Sequence, residues 1–514
     1  MNGAESLVHT LLQGGVDVCF TNPGTSEMHF VAALDKIDGM RCVLCLFEGV
    51  VSGAADGYAR MTRKPAATLL HLGPGLGNAL ANLHNAKKAR SPVVNVVGEH
   101  ATYHIQYNTP LTSDIAGIAG PVSKWVKASQ DAQSVGPDGA EAIAAARAAP
   151  GQVATLILPA NTAWGEDGVV GTVPAIPERE AVDANEIDAA AEILKGDKRT
   201  LLLLGAGAVF EEPLELAGTI AAATGCDVMA EGMNSRLQRG AGRLAVNRIP
   251  YPVPQALEVL KPYERILLVG AGRPAAFFAY PDSPSLLAPE GCEVIALATP
   301  DQDCAGAVAA LADAVGAKPN SAALQPLARP DRPTGPITLE SIAAAIGALL
   351  PENAVVIDES ITTGRNFYPT TAGAPPHDWL QNRGGSIGLG LPMATGAAVA
   401  CPDRKVICLE SDGSGMYNPQ ALWTQARENL DVTTLVFANR AYNILKGELA
   451  NVGAGNPGPR AHDMLTLDRP AFDWVSLAKG FGVEAEFVDN ADDLCRAFER
   501  GIAVDGPYLV EVLI

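Results

Sequence analysis

Short runs rich in Val, Ile, Leu and Thr alternate along this chain with longer Ala-rich stretches, and that alternation restricts the fold more than any other feature. Runs such as Val93–Val97, Thr200–Leu204 and Thr433–Ala438 have no consistently polar face. Strands of that kind must be buried on both sides, as parallel strands are when helices cover the sheet above and below. The same pattern predicts strands at Val16–Thr21, Cys42–Phe47, Ala67–His71 and Ala154–Leu158, then at Arg265–Val269 and Glu293–Leu297. It predicts further strands at Ala354–Ile357, Val406–Leu409 and Tyr508–Val512. Two stretches break the rhythm. Trp164–Asp183 is rich in Gly, Pro and Glu, and Lys318–Pro336 carries five prolines without apolar periodicity. Both have the composition of linkers. The expected fold is therefore α/β: three consecutive, open, mainly parallel-sheet domains spanning 1–165, 185–317 and 337–514. In such sheets ligands lie beyond the carboxyl ends of the strands.

Composition narrows the function classes. The net charge is −20, and no Lys/Arg cluster offers a basic face, so nucleic acid is not an expected partner. A bound diphosphate has to be held by backbone donors and a cation rather than by the overall field. The nine cysteines are scattered. Cys42 and Cys45 form a C-x-x-C, but it falls inside an expected buried strand without a second pair or a His partner, so a metal or redox role is not expected. Free cysteines and the absence of a signal-peptide pattern in Met1–Gln13 lead to the expectation of a cytoplasmic protein. No apolar stretch approaches the length of a membrane span.

The strongest local signal lies in the third segment. The run Val406–Leu409 leads into Glu410-Ser411-Asp412-Gly413-Ser414-Gly415, and Thr433–Ala438 leads into Asn439-Arg440-Ala441-Tyr442-Asn443. The spacing from Asp412 to Asn439 suits a strand end, a helix and the next parallel strand, which places both side chains at one sheet edge. A carboxylate, an amide oxygen and a backbone carbonyl, assigned to Ala441, make a hard-oxygen set with open positions that suits Mg²⁺. The Gly413-Ser414-Gly415 turn lets backbone N–H groups approach a phosphate. Together these residues predict a Mg²⁺–diphosphate clamp.

This segment resembles the thiamine diphosphate-dependent enzymes, whose signature is Gly-Asp-Gly followed some two dozen residues later by Asn-Asn. Here it reads Ser411-Asp412-Gly413 and Ala438-Asn439, so two signature positions depart from the pattern while the metal-ligand positions are kept. The resemblance extends to Glu48–Arg60, which matches the family's Glu-x-x-Ala-x-x-x-Ala-x-Gly-Tyr-Ala-Arg. It implies that Glu48 exchanges a proton with the cofactor's aminopyrimidine and that Ile387, in Gly384–Pro392, wedges under the cofactor. It also implies that Thr362 donates its hydroxyl to the diphosphate, and that Tyr442, Asn443, Ile444 and Leu445 line the diphosphate and substrate side.

The turns at Thr21–Glu27 and Leu70–Asn78 look similar to those of the benzoylformate decarboxylases. That likeness places Thr25 and His71 at positions that act on substrate. The middle stretch Ala275–Tyr280 lacks the second catalytic His of those enzymes. Gly205-Ala206-Gly207 alone is a weak dinucleotide signal, so FAD, which the acetolactate synthases carry, is not expected. The resemblance implies a thiamine diphosphate- and Mg²⁺-dependent, non-oxidative decarboxylase or carboligase of a small 2-oxo acid, of acetolactate synthase type. The alternatives are a benzoylformate decarboxylase-like enzyme or a C–C lyase of acyloins. It further implies a homodimer or homotetramer with sites shared between subunits.

Overall fold

A computed structural model describes residues 1–514. Three sheets form, as the apolar runs predict. The first has six strands, all parallel: β1 (Val18–Asn22), β2 (Arg41–Leu44), β3 (Ala66–Leu70), β4 (Val93–Glu99), β5 (Trp125–Ala128) and β6 (Val153–Pro159). Their order is β2-β1-β3-β4-β6-β5. The second contains β7 (Thr200–Leu204), β8 (Asp227–Ala230), β10 (Asn247–Arg248), β11 (Arg265–Val269) and β12 (Glu293–Ala298), in the order β10-β8-β7-β11-β12. The third contains β13 (Val355–Glu359), β14 (His377–Gln381), β15 (Val406–Ser411), β16 (Val432–Ala438), β17 (Glu484–Val488) and β18 (Tyr508–Leu513). It is completed by β9 (Leu237–Arg239), which reaches across from the middle segment and pairs antiparallel with β14.

The expected strand Cys42–Phe47 is corrected. Pairing stops at Leu44, and Cys42 is exposed rather than buried. β2 is the edge of its sheet, so one of its flanks has no neighbour and its residues need not all be apolar. No helix is long and apolar enough to cross a membrane.

The first and third sheets share one apolar core, which joins residues such as Val50, Ala54 and Leu83 to Leu391, Met393 and Trp474. Its centre is the packing of helix Glu48–Thr62 on helix Gly390–Ala400. Small residues bring the two backbones together: a Cβ on Gly396 would lie 1.8 Å from the Ala54 carbonyl oxygen, and one on Gly57 2.2 Å from that of Met393. The start of the first helix is thereby set rigidly against the third sheet.

β14 is an interior strand with a polar sequence, and most of its polar groups find partners, buried His377 Nε2 being without one. Asp378 is bridged by Arg236 (2.7 Å) and Arg404 (2.7 Å), and the Trp379 indole N–H donates to Asp358 (3.1 Å). His377 is 1% exposed, and its Nδ1–H donates to the Pro375 carbonyl at 2.7 Å. Burial, aided by nearby Arg239, pushes the His377 imidazole down to about 3 from an ordinary value of 6.5. Its folded pKa is depressed, so below about 6.5 the unfolded chain binds more protons and acid favours unfolding. The contribution is intact above that pH and falls by at most about 1.4 kcal/mol per pH unit towards pH 3. The urea midpoint should therefore drop between pH 6.5 and 5 in the wild type, and drop less in His377→Asn, whose amide replaces the Nδ1–H donor. An identical pH slope in both proteins would rule out His377 as the cause.

Candidate active site

The carboxyl edge of the first sheet collects the side chains that the sequence singles out. Glu48 follows β2 as the first residue of helix Glu48–Thr62 and is 6% exposed. Asn78 Nδ2 donates to Glu48 Oε2 at 3.0 Å. Gly75 lies so close that a Cβ there would be 3.0 Å from Glu48 Oε1, so the carboxyl is held by backbone on one side and an amide on the other.

His71 stands at the end of β3, in the residue that caps helix Leu72–Ala89. Its Nδ1 lies 2.8 Å from Oε2 of Glu27, a carboxyl whose side chain is fully buried. Oε2 also accepts the Gly24 N–H at 2.8 Å. The other oxygen, Oε1, has no hydrogen-bond partner and rests against Gly98, where a Cβ would come within 1.6 Å. Burial raises the Glu27 carboxyl, while His71 and the Gly24 N–H draw it back. Gly24 is needed here, because a Cβ would fall 2.1 Å from His71 Nδ1.

Thr25 opens the short turn Thr25–Glu27 and is exposed, with no side-chain hydrogen bond. The structure thus brings Glu27, not Thr25, into contact with His71. Sequence reasoning missed Glu27. The available signal was its place three residues after Gly24, from which its side chain reaches back to the turn's own N–H.

At the third sheet, Asp412 and Asn439 end adjacent parallel strands, since Ser411 of β15 pairs with Phe437 of β16. Asp412 is 2% exposed. Its Oδ2 accepts the Arg440 N–H (2.7 Å) and its Oδ1 the Gly413 N–H (3.0 Å). Burial nevertheless pushes this carboxyl up to about 6, outweighing the backbone N–H groups and the Arg440 charge that draw it down. Asn439 Oδ1 accepts the Ala441 N–H at 3.0 Å. In the same turn the Arg440 carbonyl accepts from Leu467 N–H (2.7 Å), whereas those of Asn439 and Ala441 accept nothing from the chain. A buried carboxylate, an amide oxygen and a carbonyl without a chain donor thus stand at the ends of two neighbouring strands.

Gly413 is buried against the Tyr442 ring, 2.7 Å from where its Cβ would be, and burial and Tyr417 raise the Tyr442 phenol. Ser414 spends its hydroxyl on Glu410 and on the Ser411 carbonyl. Asn443 and Leu445 are exposed on helix Asn443–Asn451, none of whose residues is buried. Thr362 is half-buried and follows Ile361, a β-branched residue held at φ 50°, an uncommon and strained backbone. Ile387 is half-buried in the loop before helix Gly390–Ala400. That loop meets the first sheet's edge. Asn418 Nδ2 donates to the Gly388 carbonyl at 2.5 Å, and its Oδ1 lies 2.5 Å from where a Cβ on Gly49 would sit.

A separate cavity of about 970 Å³ opens between the first and middle segments, beside Ala206, Gly207 and several arginines including Arg63, Arg90 and Arg179.

Residues 1–118 match the family described as thiamine pyrophosphate enzyme, N-terminal TPP binding domain, and residues 365–512 match its C-terminal TPP binding domain. A Mycobacterium tuberculosis protein, provisionally named acetolactate synthase large subunit IlvX, is 51% identical over 100% of this chain and 99% of its own length. Benzoylformate decarboxylase of Pseudomonas aeruginosa is 28% identical over 98% of this chain and 97% of that protein. Among solved structures, the thiamine diphosphate-dependent 4-hydroxybenzoylformate decarboxylase of Rhodococcus jostii RHA1 superimposes with a TM-score of 0.85 at 25% identity, covering 99% of this chain and 98% of that one.

Proposed function

The chain belongs to the thiamine diphosphate-dependent enzymes, and we propose that it is a Mg²⁺-dependent, non-oxidative decarboxylase or carboligase of a small 2-oxo acid, of acetolactate synthase type. The observation that carries the reading is the buried Asp412 carboxylate, which forms no salt bridge and stands on the strand beside the one that leads to Asn439 and the Ala441 carbonyl, which accepts nothing from the chain. These three donors suit Mg²⁺ with its remaining positions given to diphosphate and water. When bound, thiamine diphosphate would supply a nucleophilic carbon and, in its cationic thiazolium ring, a sink for the electron pair released on C–C cleavage.

The chain's own residues divide the remaining work. Glu48, buried and held by Asn78, gives and receives a proton at the aminopyrimidine. The Gly413 turn and Thr362 would hold the diphosphate, Ile387 would support the cofactor as the wedge, and Tyr442, Asn443 and Leu445 would line the diphosphate and substrate side. Glu27 fixes His71 through Nδ1, which leaves Nε2 to orient the substrate carboxylate or to pass a proton. In Glu27→Gln the amide oxygen can keep both contacts of Oε2, but the carboxylate charge that holds the Nδ1–H tautomer and supports a proton on Nε2 is lost. Turnover should fall on the order of 100-fold with little change in stability. An unaltered rate would remove the dyad from the mechanism.

A second reading, aryl 2-oxo-acid decarboxylation, draws on the benzoylformate decarboxylase relatives and on the exposed aromatic rings of Phe277 and Phe278. The absence of a His in Ala275–Tyr280 weighs against the same proton relay. The deciding experiment is a panel of 2-oxo acids, aldehydes and acyloins assayed with thiamine diphosphate and Mg²⁺. CO₂ release from a short 2-oxo acid with ligation of the product supports the first reading. Release only from aryl substrates supports the second. Acyloin cleavage without any CO₂ would replace both with a lyase.

We further propose three domains as divided by the two linkers, a homodimer or homotetramer with shared sites, and a middle domain without flavin. A yellow absorbance band in the purified protein would overturn the last point.

A further inference from the structure

The loop that carries Ile387 is anchored by one side chain from another strand. Glu359 ends β13, is 2% exposed, and lies beside Glu410 of β15 in register. Its Oε2 accepts the N–H groups of Gly388 (3.1 Å) and Gly390 (2.7 Å), and its Oε1 accepts Asn382 Nδ2 (2.8 Å). The three bonds straddle Ile387. Asn382 extends the clamp on the near side: its Nδ2 also donates to the Ser386 carbonyl (2.5 Å), and its Oδ1 accepts the Gly385 N–H (2.9 Å). The loop presses directly on the pair of carboxyls, since a Cβ on Gly390 would lie 2.1 Å from Glu410 Oε2 and 3.1 Å from Glu359 Cβ. Apart from satisfying the first N–H of helix Gly390–Ala400, the carboxylate is not required by the surrounding packing. Helix Gly390–Ala400 has its own apolar packing, and β13 is already paired on both sides.

We propose that Glu359 is a positioning residue: it fixes the height and tilt of Ile387, and through Ile387 the bend of the bound cofactor. This rests on the reading of Ile387 as the wedge. A buried carboxylate that accepts two backbone N–H groups is a stiff clamp. Gln at this position keeps the volume but turns an N–H towards one of the donors it should accept, and so releases part of the loop.

The test uses the full-length protein as Glu359→Gln, with Asn382→Ala as a second variant that loosens the clamp from its less buried end. Three quantities are read: backbone amide exchange of residues 382–390 without ligand, thiamine diphosphate affinity by tryptophan fluorescence, and hydrogen exchange at the thiazolium carbon of the bound cofactor. Both variants should speed amide exchange about tenfold, the factor that corresponds to one lost net hydrogen bond. Cofactor affinity, set by the diphosphate, should change less than about threefold, while exchange at the thiazolium carbon falls on the order of 10- to 100-fold, the scale of a misplacement near 1 Å. Faster amide exchange with unchanged thiazolium exchange would reduce Glu359 to a structural role and overturn the proposal, as would unchanged amide exchange. Ile387→Ala is the control. If it leaves thiazolium exchange unaltered, the wedge reading has failed, and the inference built on it falls for that separate reason.

Discussion

Glu48→Gln should lower turnover on the order of 100- to 10,000-fold, the range that a positioned proton donor contributes, while leaving cofactor affinity close to that of the wild type. The local structure makes this a clean substitution. Gln has nearly the shape of Glu, and its Oε1 can still accept the Asn78 amide that now bonds Oε2. The packing of helix Glu48–Thr62 on helix Gly390–Ala400 does not involve the carboxyl, so the fold should survive. What changes is the capacity to give up a proton, which an amide lacks. A competing account assigns Glu48 only to the helix start, where a carboxylate complements the dipole. That account forecasts a stability loss of at most about 1 kcal/mol and an unaltered rate. Steady-state turnover measured beside the urea midpoint separates the two, and an unchanged kcat would leave Glu48 as a helix-starting residue.

The strands that could be read in the sequence are those whose burial needs no partner. β7 and β11 are found at the residues expected because each is an apolar run bounded by charged residues before it and glycine after it. β14 could not be read that way. His377, Asp378 and Gln381 look like loop until Arg236 and Arg404 arrive from distant segments to neutralise Asp378. β17 was missed for a different reason: it is an edge strand whose Glu484 and Phe487 face solvent, so its pattern is mixed.

The site divides along the same line. Asp412 and Asn439 stand at strand ends that the apolar periodicity locates, so spacing brought them into view, whereas Glu48, four residues past the end of β2, was singled out by the resemblance of Glu48–Arg60 to the family motif. Glu27 and Glu359 act through contacts made only after folding, one with His71 and the other with the Ile387 loop. In the sequence neither is more than an acid near a turn.

Asp412→Asn should abolish the stabilisation that Mg²⁺ and thiamine diphosphate confer, without unfolding the ligand-free chain. At pH 7 the wild-type carboxylate is ionised at a site that burial disfavours, with its folded pKa raised from 3.8 to about 6. A raised carboxyl pKa means that the folded state holds the proton more tightly than the unfolded chain. The stability it contributes is full below about 3.8 and lost as pH rises through about 6. At neutral pH the ionised carboxyl is by itself therefore a liability, on the order of 2–3 kcal/mol for a shift of this size. Asn removes that charge. Its amide N–H must then face the Gly413 or the Arg440 N–H, which returns about 1–3 kcal/mol of cost. The two effects oppose each other, so the ligand-free variant should melt close to the wild type. Binding behaves otherwise. Without the carboxylate only Asn439 and the Ala441 carbonyl remain, both neutral, and cation affinity should fall at least about 100-fold. Wild-type protein at 100 times Kd gains about 2.7 kcal/mol from the ligands, and the variant at the same concentrations gains almost none. Thermal melts with and without Mg²⁺ and thiamine diphosphate read this directly, and an equal ligand-induced shift in both proteins would place the metal somewhere other than Asp412. The charge is kept, on this view, because the ion that offsets it is also what holds the diphosphate.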